Sequence, residues 1–109
     1  MEIALRLPYS IGGIIPIAGF IKFMDILDKE ATEESKETPI LLLHGNQDQI
    51  IPVSASQKAY KFLQNRGHIV YLECYDAVHK IPQHVAPLIR DFISDSIRFF
   101  KLNSPITVE

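Results

Sequence analysis

Apolar positions fall into three kinds of block along this chain. Residues 40–43, Ile-Leu-Leu-Leu, form an unbroken apolar run between Pro39 and Gly45, the pattern of a strand covered on both faces in a parallel sheet. Residues 68–75 alternate instead, with Val70, Leu72 and Cys74 against Ile69, Tyr71 and Glu73, which predicts a second strand. Between them, Ala55, Ala59, Phe62 and Leu63 recur at i, i+4, i+7 and i+8, predicting an amphipathic helix over 54–66 that Gly67 ends. Ser54 and Gln57 have the spacing of a capping box at its start. A last helix is predicted over 82–101, with Val85, Ile89, Phe92, Ile93, Ile97 and Phe100 on one face and Pro87 in its first turn, where a missing N–H costs little.

The earlier chain is less regular. Residues 1–7 read as part of a helix stopped by Pro8-Tyr9-Ser10. Residues 13–18, Gly-Ile-Ile-Pro-Ile-Ala, read as a further buried strand, although Pro16 removes a ladder donor and requires the strand to be short or bulged. Phe20, Phe23, Met24 and Leu27 have helical spacing, and the acidic stretch 30–38 is a solvated connector. Helix, strand, loop, strand, helix, strand, helix is the second half of a doubly wound α/β domain, with 54–66 crossing right-handedly between parallel strands. Residues 1–109 make one partial domain with a frayed tail over 103–109.

Composition narrows the class. Of 109 residues, 47% are hydrophobic, enough for a packed core; a net charge of −2 and a pI near 6.1 leave no basic footprint for nucleic acid. No signal peptide is visible, and the apolar stretch 11–23 is broken by Gly12, Gly13, Pro16, Gly19 and Lys22, so no membrane span is expected and the protein reads as cytoplasmic. Cys74 is the single cysteine, which excludes an internal disulfide or a CxxC site. His44 precedes Asp48 by four, but a turn does not impose helical facing, and His68 and His84 lack ligand-like partners, so neither a metal nor a cofactor is expected.

The candidate chemistry sits after the 40–43 strand. In open α/β sheets, reactive groups collect beyond the carboxyl ends of strands, and Asp48 is the carboxylate placed there. The pattern His44-Gly45-x-x-Asp48-x-x-Ile51-Pro52 resembles the segment that carries the acid of the α/β-hydrolase catalytic triad, in the phospholipase/carboxylesterase group that includes the acyl-protein thioesterases. The motif is shared with dienelactone hydrolases and prolyl peptidases. The group runs Ser, Asp, His in chain order, so the resemblance implies Asp48 as the acid and His79, one helix and one strand later, as the base. It makes His44 a structural residue at the strand end and the loop after 13–18 a border of the acyl pocket. Where the group often has Gly before the catalytic His, this chain has Val78.

Ala4-Leu5-Arg6-Leu7-Pro8 resembles the helix that follows the nucleophile elbow, which puts the serine a few residues before Met1. Ser10 is a poor substitute: Pro8 stands where the elbow needs Gly, and Ser10 precedes a strand where an elbow serine follows one. The expectation is therefore a carboxylic-ester or thioester hydrolase present as its C-terminal half, with acid and base but no nucleophile. Its substrate would be a small ester or thioester, acted on only once an N-terminal half completes the site. The alternatives are half of a split enzyme, or a non-catalytic remnant or binding protein. An uncovered sheet edge would favour self-association.

Overall fold

The computed structural model describes residues 1–77 and 82–103, without the side chains of Ile97 and residues 101–103. Two strands, β1 (Ile40–Gly45) and β2 (Val70–Tyr75), pair in parallel with Ile40 opposite Val70 and Gly45 opposite Tyr75. Helix α3 (Val53–Asn65) joins them. Before β1 come α1 (Glu2–Leu5), α2 (Met24–Glu30) and a 3-10 turn (Glu34–Glu37); after β2 come a 3-10 turn (Gln83–Val85), α4 (Ala86–Ser94) and α5 (Ser96–Asn103).

β1 is the centre of the molecule because both of its edges and both of its faces are occupied. On the edge away from β2 runs the stretch 14–18, parallel to it: Ile14 N–H donates to Pro39 O, Leu41 N–H to Ile14 O, Leu43 N–H to Pro16 O and Ala18 N–H to Leu43 O. Four of five ladder bonds are present, and the fifth would need the N–H that Pro16 lacks. The expected third strand is therefore there without a bulge, split into two bridges at Pro16. Its end turns through Ala18, a non-glycine residue with φ +53°.

The faces explain the apolar run. Ile40 and Leu42 pack with Leu5, Ile21, Leu27, Ala59 and Leu63 on the α3 side, while Leu41 and Leu43 pack with Tyr75, Val85, Phe92 and Phe99 on the other. All four β1 residues are fully buried. Fully burying such side chains contributes about 1.5–3 kcal/mol each relative to exposure, so this strand holds both layers.

Three helix expectations need correction. α3 starts at Val53 after Pro52, and no side chain caps it; Ser54 lies inside the helix and forms no capping box. Its inward face carries Ser56, Ala59 and Leu63, so the face predicted from Ala55 and Phe62 is turned by about a residue. The single C-terminal helix is two helices: at Asp95 the backbone is extended (φ −159°, ψ 92°), and the Asp95 carboxylate then accepts Arg98 N–H at the start of α5. Ile93, at the end of α4, is 70% exposed, and after the break Phe99 enters the core, edge-on to Tyr71 and Phe92. The C-terminal end of α3 follows expectation: Gly67 adopts φ +88°, its N–H reaches Gln64 O and His68 N–H reaches Leu63 O, the paired bonds of a Schellman stop.

Candidate active site

Asp48 lies in the turn that follows β1. The turn is set by Asp48 N–H donating to Gly45 O, and the carboxylate folds back over it: Oδ1 accepts Ile50 N–H at 2.9 Å and Ile51 N–H at 3.0 Å. Two backbone donors on one oxygen fix the carboxylate's orientation. Only 1% of the side chain is exposed, and its Oδ2 stands 3.7 Å from His44 Nε2. Burial, and then the charge on Asp48, push the Tyr75 phenol above its ordinary pKa.

Next to this turn runs the loop after β2. Asn46 N–H donates to Tyr75 O, Gln47 N–H to Ala77 O, and the Gln47 side chain to Asp76 Oδ1 at 2.6 Å. The parallel pairing thus continues past the strand ends and ties the Asp48 turn to residues 75–77. Val78 and His79 lie outside the described residues.

His44 is a strut at the end of β1. Its ring is fully buried, with Nε2 2.6 Å from Ile51 O and Nδ1 against Ser56 Oγ. A carbonyl accepts only, so Nε2 carries a proton, donated to Ile51. The Ser56 hydroxyl also reaches Gly19 O at 2.9 Å. One imidazole and one hydroxyl therefore join the loop after 14–18, the turn after Asp48 and the first turns of α3. Sequence reasoning missed Ser56 because it placed the polar residues of α3 at the cap; spacing with Ala59 and Leu63, at i+3 and i+7, marks it as inward. Ser10 is exposed in the turn before Ile11. Among the described residues no three His, Cys, Asp or Glu side chains gather as metal ligands, and no helix is long and apolar enough to cross a membrane.

Comparison with known proteins shows the family. The phospholipase/carboxylesterase family model matches residues 1–97. Acyl-protein thioesterase 1 of Kluyveromyces lactis is 36% identical over 63 residues, covering 57% of this chain and 28% of that protein. A probable inactive carboxylesterase of Oryza sativa subsp. japonica is 30% identical over 69 residues, covering 63% and 28%. The crystal structure of Arabidopsis thaliana SOBER1, a carboxylesterase, superposes with a TM-score of 0.76 at 29% identity over 84% of this chain and 44% of that one. The chain spans less than half the length of each of these relatives. With 97 residues matched, parallel strands under helices and an esterase as structural neighbour, the chain belongs to the phospholipase/carboxylesterase family of α/β-hydrolases.

Proposed function

We propose that this chain supplies the acid and the base of a serine carboxylic-ester or thioester hydrolase, with Asp48 orienting His79 and His79 activating a serine carried by another segment. The observation that supports it best is Asp48 itself, a buried carboxylate held by two backbone N–H groups beyond the end of the central strand. A triad acid must be buried, fixed and ionised to hold an imidazole in one tautomer and to stabilise the imidazolium that forms. His79 follows Ala77, which is bonded to the Asp48 turn, by two residues.

Residues 1–109 contain no Gly-x-Ser-x-Gly, and the oxyanion-hole donors of this fold come from the residue after the nucleophile and an earlier loop. The proposal therefore assigns this chain general-base chemistry alone, with the nucleophile and the charge-stabilising donors supplied from elsewhere. Adding an N-terminal hydrolase half that ends with the serine elbow, by co-expression or fusion before Met1, tests it. The 109-residue chain alone is expected to leave p-nitrophenyl esters at the solution rate and to resist a fluorophosphonate probe. The complemented protein is expected to turn over and to be labelled on the added serine, with His79→Ala removing most of both. Stoichiometric labelling at Ser10 in the chain alone would refute the assignment. A non-catalytic role is favoured by one observation, the resemblance to a rice relative named as inactive, and complementation without turnover would support it.

A further inference from the structure

On the side of the sheet carrying α2 and α3, away from Asp48, lies a second buried imidazole. His68 is 6% exposed, and its Nδ1 has no hydrogen-bond partner among the described residues. Arg66, the C-terminal cap of α3, donates from Nε to His68 Nε2 at 3.4 Å. The same guanidinium reaches across to α2, pairing with the Asp28 carboxylate and donating to Asp28 O at 2.9 Å. Lys36, paired with Glu33 at 2.8 Å, adds its charge near the ring, and the Ser35 backbone is close enough to favour a proton on it, although Nδ1 makes no well-formed hydrogen bond. Two cations and burial oppose a charge on this ring; Glu33 and the Ser35 backbone favour one more weakly.

We infer that His68 and Arg66 form an acid-released joint between α3 and α2. The unprotonated Nε2 accepts from Arg66, and this contact steadies the guanidinium that holds Asp28. A proton on Nε2 sets donor against donor and cation against cation, so Arg66 withdraws and α2 loses its polar link to α3, with Leu27 left as its apolar one.

Burial first, then Arg66 and Lys36, depress the imidazole from 6.5 to about 4. An open state with an ordinary imidazole binds more protons than the closed one between these values. The closed state is therefore fully favoured above pH 6.5 and loses ground as pH falls towards 4. The opening equilibrium should therefore rise between pH 8 and pH 5, less at high salt.

Hydrogen exchange read by mass spectrometry on the 109-residue chain, corrected for intrinsic rates, tests this at the amides of α2. Wild type should lose protection there between pH 8 and pH 5, and His68→Gln should flatten that loss. An NMR titration should find the His68 ring changing near pH 4, and Arg66→Gln should raise that midpoint. The inference is overturned if protection of α2 is the same at both pH values, if His68→Gln retains the loss, or if the ring titrates at its ordinary value.

Discussion

At the scale of single residues, the site depends on side chains that satisfy backbone. Asp48 completes its own turn through Ile50 and Ile51, and Ser56 joins His44 to Gly19. Ser56→Ala leaves a buried ring nitrogen or carbonyl without its partner and should destabilise the chain by about 1–3 kcal/mol; a shifted urea midpoint at constant slope checks it. Gly67 is constrained differently. A Cβ there meets nothing, yet φ +88° is strained for any L side chain, so Gly67→Ala should cost about 1 kcal/mol through backbone conformation alone. The place of Asp48 in the turn beyond β1 was legible in the sequence because a motif and a strand end coincide there. Ser56 was not, because its partners lie 12 and 37 residues away and no local spacing announces them.

At the scale of elements, β1 and β2 could be read because patterns of burial are written directly into apolar order. A run of four buried residues has few other interpretations once both faces are covered. The stretch 14–18 and the final helix were harder, for opposite reasons. Pro16 deletes one ladder bond without moving the strand, so tertiary pairing with β1 outweighs local propensity there. The final helix keeps a helical period across Ser94-Asp95-Ser96, and periodicity alone does not show the break that Asp95 caps. Asp95→Ala should remove the cap of α5 at a cost of about 1 kcal/mol, and faster amide exchange confined to α5 would show it. Phe99→Ala, which empties the centre of the aromatic cluster, should cost about 3–5 kcal/mol in the same denaturation measurement.

At the scale of the whole molecule, three parallel segments expose sheet edges. The outward backbone of residues 15 and 17 has no partner among the described residues, and Pro16 points its missing donor inward, so it does nothing to blunt that edge. Beside the edge lies an open groove of about 430 Å³ whose lining includes Glu2, with Ile3 80%, Ile17 48% and Phe20 46% exposed along it. Apolar surface beside an open edge favours association. Sedimentation of the chain alone should show concentration-dependent oligomers that Ile17→Lys reduces.

The fold holds two carboxylates within one pair of loops. Asp48 is buried and fixed by backbone; Asp76 is exposed and bonded to Gln47. The kcat of the complemented protein separates them. Asp48→Asn should lower kcat by up to about 10⁴-fold, the order lost when a triad's imidazole is left without its tautomer-setting carboxylate, while Asp76→Asn should leave it within a few-fold. An active complemented enzyme that tolerates Asp48→Asn, or that loses more to Asp76→Asn, would contradict the account.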